Sequence, residues 1–361
     1  MKVCVYAICK NESQFVDRWM DSMEEADLVV VLDTGSTDDT VEKLRKRGAV
    51  VQVETITPWR FDVARNRSLE LIPEDVDVCV CTDLDEVFHK GWRKALESVW
   101  SDNVGQVSYR YTWSFQPNGA EGVVFWQEKI HRRFGYRWTH PVHEVLTWVG
   151  EGIRKKTVPA YGIQLDHYPD HSKSRGQYLP LLEMSVEEDP TDDRNMHYLG
   201  REYMYKGEWL KAINTLKKHL NMEKATWSNE RCASMRYIAR SYIALGNHKQ
   251  AEIWFLQAIA EAPHLREPWL DFAELAYANK DWFLLIWLTE RSLTIQQRPA
   301  TYISEAASWG SLPYDLCALG YYYIGNFMKS LSYVEKALSI SPDDARLQNN
   351  RKLIQEKIQV N

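Results

Sequence analysis

The chain has 361 residues, 45% hydrophobic and 26% charged, which excludes a disordered or fibrous protein and predicts two domains, or one domain joined to a repeat array. The formal charge of −6 is uneven: residues 1–190 carry 23 Lys and Arg against 31 Asp and Glu, and the remainder 21 against 19. An acidic N-terminal half disfavours nucleic acid as a partner and suits a divalent cation.

Residues 2–8 read as a strand and 12–23 as an amphipathic helix. The apolar run 28–32 has the composition of a strand buried on both faces. It ends in Asp33-Thr34-Gly35-Ser36-Thr37-Asp38-Asp39-Thr40, where Thr37 and Asp38 can cap a helix over 40–47. A strand at 50–53, a helix at 62–71 and a strand at 76–82 follow. This alternation predicts an α/β fold with parallel strands. Residues 105–170 read as mixed sheet and long loops, with strands at 107–115, 123–126 and 153–158. No run of about 18 apolar residues appears, so no membrane span is expected. Residues 1–7 read as a strand and not as a signal peptide. The six cysteines are therefore expected as reduced thiols and the protein as cytoplasmic. Cys79 and Cys81 lie in an apolar run and are expected in the core.

From about residue 174 the pattern becomes helical and repeats. Tyr203 with Gly207 and Ala212, Tyr242 with Gly246, Ala251 and Pro263, Tyr277 with Lys280 and Asp281, and Tyr321 with Gly325, Ala337 and Pro342 fit one template. The third copy lacks both the glycine and the proline. The spacing predicts stacked helical hairpins of tetratricopeptide type, against the alternative of a nonrepetitive helical bundle.

Chemistry is concentrated in three segments. Thr82-Asp83-Leu84-Asp85-Glu86 follows an apolar strand; two carboxylates so placed can share a divalent cation, at the strand end where open α/β sheets bind ligands. The plainer reading is a set of acids at a helix N-terminus. Asp33 and its loop offer hydrogen bonds to a base or ribose, or form only a strand-to-helix turn. Phe61-Asp62-Val63-Ala64-Arg65-Asn66-Arg67 can bring Arg65 and Asn66 to a diphosphate or have them order a loop, or leave them solvated.

In this order the segments resemble the family 2 glycosyltransferases of GT-A fold. The resemblance rests on Ile8-Cys9-Lys10-Asn11-Glu12, Val30 through Thr40, Ala64-Arg65-Asn66 and Thr82 through Glu86. Pro141-Val142-His143-Glu144 and Leu165-Asp166-His167-Tyr168-Pro169 extend it to a subgroup with C-terminal tetratricopeptide repeats. It implies a GT-A, Rossmann-like α/β domain over 1–175 and an all-α, tetratricopeptide-like repeat domain over 176–361. It also implies a nucleotide-sugar donor, usually UDP-linked, and inversion at the anomeric carbon. Asp33 would then bind the nucleoside, Arg65 and Asn66 the donor, and Asp83 and Asp85 the Mn2+ or Mg2+ and diphosphate, with Asp85 the direct ligand.

Inversion needs a base, for which Glu144 is the candidate; the competing reading pairs it with Arg132, Arg133 or Arg137. His167 resembles the late histidine that completes the metal shell, with His143, His171 and Asp170 as rivals; His143 is alternatively an accessory contact. Arg132, Arg133, Arg137, Lys173 and Arg175 can hold phosphate or form a solvated face. Tyr109, Tyr111, Trp113, Phe115, Trp126, Tyr136, Trp138 and Trp148 supply core residues and, for a few, sugar stacking.

The leading expectation is a metal-dependent inverting glycosyltransferase acting on a protein, peptide or saccharide. The repeats serve acceptor binding or homodimerisation. The alternatives are a nucleotidyl- or phosphotransferase using the same metal site, or a noncatalytic repeat scaffold.

Overall fold

A computed structural model of the protein describes residues 1–116, 118–170 and 176–360. They form two compact units, Met1–Glu188 and Asp189–Asn361.

The first unit opens with β1 (Val3–Cys9), α1 (Val16–Ser22), β2 (Leu28–Asp33), α2 (Thr40–Lys46), β3 (Val50–Val53), α3 (Phe61–Glu70) and β4 (Val78–Cys81). It continues through β5 (Glu86–Phe88), α4 (Trp92–Val99), β6 (Val104–Thr112), β7 (Val124–Arg132), β8 (Tyr136–Thr139), β9 (Val145–Trp148), β10 (Lys156–His167) and α5 (Tyr178–Glu188). Eight strands make one sheet in the order β3-β2-β1-β4-β7-β6-β10-β5, and β8 with β9 makes a separate hairpin. β3, β2, β1 and β4 are parallel neighbours, and β7 runs antiparallel to β4 and β6.

The unbroken apolar runs arise because both faces of the sheet are covered. Val3, Val5 and Ala7 pack with Val29, Val31, Trp19 and Trp92 on one side. Their alternates Cys4 and Tyr6 pack with Val30, Leu69, Tyr136 and Trp138 on the other. Period-two alternation thus sends apolar residues into two cores instead of one core and solvent. Cys79 and Cys81 are in the second core, and all six cysteines are free thiols.

The helix expected over 12–23 starts at Val16; a turn closed by the Phe15 amide on the Glu12 carbonyl precedes it. The strand expected over 153–158 runs much further, to His167, with a register shift between Pro159 and Gln164. β5, β8 and β9 do not announce themselves in the sequence.

The second unit contains α6 (Asp193–Tyr205), α7 (Trp209–Leu220), α8 (Ser228–Ala244), α9 (His248–Glu261), α10 (Glu267–Ala278), α11 (Trp282–Leu293), α12 (Leu312–Tyr323), α13 (Phe327–Ile340) and α14 (Ala345–Val360). The first eight form four hairpins at the four predicted turns. Gly207, Gly246 and Gly325 have φ of 75°, 74° and 79°, and Lys280 holds the same left-handed position at 58°. Asn247, Asp281 and Asn326 then cap the following helix, each accepting from the amide three residues on. The cap therefore preserves the third hairpin where its glycine is missing.

The division expected at 175 falls instead after Glu188. Helix α5 stays with the sheet unit because Tyr178 packs on Phe61, ring centroids 6.2 Å apart, and Arg60 donates to the Glu188 carboxylate.

Candidate functional site

The chain steps from β1 to β2 and β3 on one side, then returns to place β4 on the other. The carboxyl ends of β1 and β4 therefore flank a topological switch point, the place where open α/β sheets bind ligands. Asp33 ends β2, and Thr82–Asp85 follow β4.

Asp33 is fully buried. Its Oδ1 accepts from the amides of Gly35 (3.0 Å) and Ser36 (2.9 Å), and its Oδ2 accepts from the Ser36 hydroxyl and the Cys9 thiol. Asn11 braces the loop from β1, accepting from the Thr37 amide at 2.8 Å while its own amide donates to Ser36 Oγ at 2.8 Å. Of the expected caps, Asp38 accepts from Thr40 N at 3.1 Å, but the N-cap position of α2 is held by Asp39, whose side chain makes no capping bond. In this arrangement Asp33 shapes the loop.

Arg65 is the hub of the second segment. It reaches from α3 beneath the strand ends, 4% exposed, and donates to Asp83 Oδ1 at 2.9 Å and Oδ2 at 3.2 Å. Its Nε donates to Glu144 Oε1, and its guanidinium lies 5.3 Å from the Trp138 ring centroid. The partner of Glu144 is thus Arg65, not Arg132, Arg133 or Arg137. Lys129 of β7 lies 3.5 Å from both Asp83 Oδ2 and Glu86 Oε1. Glu86 accepts from the Tyr111 hydroxyl at 2.8 Å and the Asp83 amide at 2.9 Å. Burial pushes the Asp83 carboxyl up, but the Arg65 and Lys129 charges outweigh it and hold it well below the carboxylate range. Burial pushes Glu86 up, with Asp83 and Asp85 adding to the shift.

Asp85 meets His167, brought from the end of β10: His167 Nε2 is 3.2 Å from Asp85 Oδ2. His167 Nδ1 lies 2.8 Å from the Trp113 carbonyl, which can only accept, so Nδ1 carries a proton. That contact orients the ring as the outer partner of a metal-bound histidine does. Nε2 and a carboxylate oxygen then face each other, needing a shared proton or a cation. Burial lowers the imidazole pKa, but Asp85 more than offsets this and leaves it raised.

A divalent cation fits this pair of donors. Asp83, Asp85, Glu86 and Glu144 are four carboxylates against the permanent charges of Arg65 and Lys129. Asp83 does not join Asp85. A turn closed by Glu86 N on the Asp83 carbonyl, 3.1 Å, breaks the extended alternation that would put both on one side, and Asp83 goes to Arg65. Among the described residues, the one group of three His, Cys, Asp or Glu donors within 4.8 Å of one another is in the helical unit. His171, Lys173 and Arg175 lie outside the described residues.

Other expected residues do fastening work. Asn66 donates to the Trp138 carbonyl at 2.8 Å and accepts from its amide at 2.9 Å, tying α3 to β8 rather than reaching a donor. Arg132 donates to the carbonyls of Val104 and Ser101, and Arg133 to that of Ile72, so both fasten backbone. His143 has φ of 52° and packs near Tyr178, 5.7 Å between centroids. Asp166 accepts from Gln164 at 2.7 Å and lies 2.8 Å from His89 Nε2. Tyr109, Tyr111, Tyr136 and Trp138 are core, while Trp113 and Trp126 are each 38% exposed. Trp113 stacks against His167, 6.1 Å between centroids.

Lys129 and the Trp113 carbonyl are the site groups that sequence reasoning missed. A lone lysine in the alternating strand 124–132 gives no signal until its strand pairs with β4.

No family profile and no curated protein matches the sequence. Solved structures similar to part of the chain include a chain of the APC/C hetero-tetramer Cut9–Hcn1, 13% identical over 50% of this chain and 33% of that one, TM-score 0.39. Another is a thermophilic TPR protein of Thermus thermophilus, at 17% identity, 49% and 88% coverage and TM-score 0.36. The C-terminal part of a TPR repeat-containing protein from Cytophaga hutchinsonii gives 14%, 50%, 67% and 0.42. The chain thus spans a third of the first of these proteins.

Proposed function

We propose that the sheet unit is a metal-dependent inverting glycosyltransferase that takes a nucleotide sugar, UDP-linked, and passes the sugar to a protein, peptide or saccharide. The observation that carries this reading is the Asp85–His167 pair: two donors 82 residues apart, 3.2 Å from each other, at the carboxyl ends of β4 and β10. Mn2+ or Mg2+ held there would act as a Lewis acid toward the charge developing on a departing diphosphate; the imidazole favours Mn2+.

The chain's own groups divide the remaining work. The Asp33 loop receives the nucleoside, with Asp33 as its internal brace. Arg65 holds Asp83 and Glu144 in fixed positions. Glu144 accepts the acceptor's proton, as a carboxylate base must in a single displacement. The helical unit receives the acceptor or a second copy of the chain, since stacked hairpins present an extended surface. Leu210 and Phe283, 67% and 75% exposed, are apolar residues on it.

A thermal-shift screen of nucleoside-diphosphate sugars with and without Mn2+ tests the proposal, because a ligand that binds only the folded state raises Tm. The expected result is a shift that needs both Mn2+ and a UDP-sugar, with free UDP released on turnover. Pyrophosphate release would identify a nucleotidyltransferase instead. No Mn2+-dependent nucleotide-sugar binding would leave a repeat scaffold.

A further inference from the structure

The start of α6, the end of α7 and the start of α8 meet at one end of the helical stack, because short turns reverse each successive helix. Asp193, His219 and Glu230 occupy those three positions, and one ligand atom of each lies within 4.8 Å of the other two. His219 and Glu230 are buried, 0% and 4% exposed. His219 Nε2 is sealed from solvent without a hydrogen-bond partner. Glu230 Oε1 is 3.4 Å away, near enough for charge pairing but outside hydrogen-bond geometry.

The other face of the ring leaves Nε2 two states: when His197 donates to Ser234, that hydroxyl donates to His219 Nδ1 and Nε2–H faces Glu230, and in the opposite order Nε2 is bare. His219 Nδ1 is 2.9 Å from Ser234 Oγ, which is 2.7 Å from His197 Nδ1. One hydroxyl proton serves both contacts. When Ser234 donates to His197, His219 must donate its Nδ1 proton to Ser234, and Nε2 becomes a bare lone pair next to carboxylate oxygens. That tautomer is electrostatically stable only with a cation between the donors, and a hydroxyl on the far nitrogen is the kind of outer contact that holds a ligating histidine in place. Glu230 is fixed in turn by the Tyr302 hydroxyl, which donates to its Oε2.

We infer that Asp193, His219 and Glu230 form a zinc site that clamps α6, α7 and α8 together, separate from the Asp85–His167 pair. One imidazole and two carboxylates suit Zn2+, with water completing a tetrahedral shell. The site is structural: it joins the first helical hairpin to the next and does not depend on the glycosyltransferase reading.

The test uses the full chain carrying His167→Ala, so that Zn2+ at the sheet unit does not confuse the count. After chelator treatment and dialysis, Zn2+ is titrated by calorimetry, and Co2+ is added separately as a visible-absorption probe. The expected result is one bound Zn2+, a higher Tm for the helical transition, and the intense absorption of tetrahedral Co2+. Adding Asp193→Asn, at a partly exposed helix start, weakens Zn2+ binding by more than the ~10–100-fold that losing an outer contact alone costs. Glu230→Gln gives the same loss; where it also impairs folding, Asp193→Asn alone decides. Absence of Zn2+ binding in the His167→Ala protein, or undiminished affinity in Asp193→Asn, overturns the site.

Discussion

Lowering the pH from 7.5 to 5.0 should weaken the sheet unit through one histidine. His131 of β7 is fully buried, and its hydrogen bonds suit a ring that carries one proton. Nδ1 must donate to the Arg132 carbonyl, 2.7 Å away. Trp138 Nε1 donates to the Tyr6 hydroxyl at 2.8 Å, and that hydroxyl donates to His131 Nε2, also at 2.8 Å. Protonating Nε2 would bury an unpaired charge near Arg133 and take away the acceptor of the Tyr6 hydroxyl proton. Burial accordingly pushes the imidazole from 6.5 down to about 3. The unfolded chain takes up this proton near pH 6.5 and the native one near 3. Stability is therefore intact above the unfolded pKa and falls as pH drops through the window between the two. At pH 5.0 the unfolded imidazole is almost fully protonated and the native one is not, which works out to a loss of about 2 kcal/mol relative to pH 7.5. The size at pH 5.0 depends on the unfolded value and hardly on the native one. Urea unfolding of wild type and His131→Gln at both pH values isolates the effect from the other histidines. The wild-type midpoint should fall by roughly 1 M more than the variant's, for a slope of about 2 kcal/mol/M. Equal pH shifts in the two proteins would refute the buried neutral histidine.

Glu144→Gln should lower kcat by about 10²–10⁴-fold while the donor Kd stays near wild type; collapse of donor binding would reduce Glu144 to the partner of Arg65. Asp85→Ala should abolish transfer and weaken UDP binding in Mn2+, and His167→Ala should raise the Mn2+ needed for half-maximal binding. A wild-type Mn2+ requirement in both would remove the metal pair. Arg65→Met leaves the carboxylates of Asp83 and Glu144 facing each other without their shared cation and should cost about 3–5 kcal/mol. Combining it with Glu144→Gln should recover part of that loss in urea unfolding, and strict additivity would deny the coupling. Lys280→Gly relieves a left-handed lysine and should stabilise the helical unit by about 1 kcal/mol, read as a higher Tm.

The sheet strands nearest the N-terminus and the four hairpin turns were legible because their causes are local. A strand covered on both faces needs an unbroken apolar run, as in 28–32, and a left-handed turn followed by a cap needs Gly-Asn, as at 246–247 and 325–326. Even the irregular third turn kept half of its signal, with Asp281 as the cap. β8 and β9 were hidden because, unlike the equally short but valine-rich β3 and β4, they mix polar residues with aromatics in their four positions and lie among Pro, Gly and His. The sequence also placed α5 with the repeats, since its helical periodicity says nothing about which core it joins.

Candidate site residues were legible as types and not as partners. Chain order alone marks Asp83, Asp85, Glu144 and His167 as groups capable of chemistry. Tertiary structure decided that Arg65 joins Asp83 to Glu144, that Asn66 fastens a hairpin, and that Lys129 belongs beside Asp83. It decided equally that Asp85 faces His167 while Asp83 does not. Each of those outcomes turns on strand order and register across a sheet whose neighbours are far apart in sequence: β4 pairs with β7, and β10 with β5 and β6. Local propensity fixes which backbone a segment adopts, but partners are set by which strands meet, and that is determined by burying both faces of the whole sheet at once.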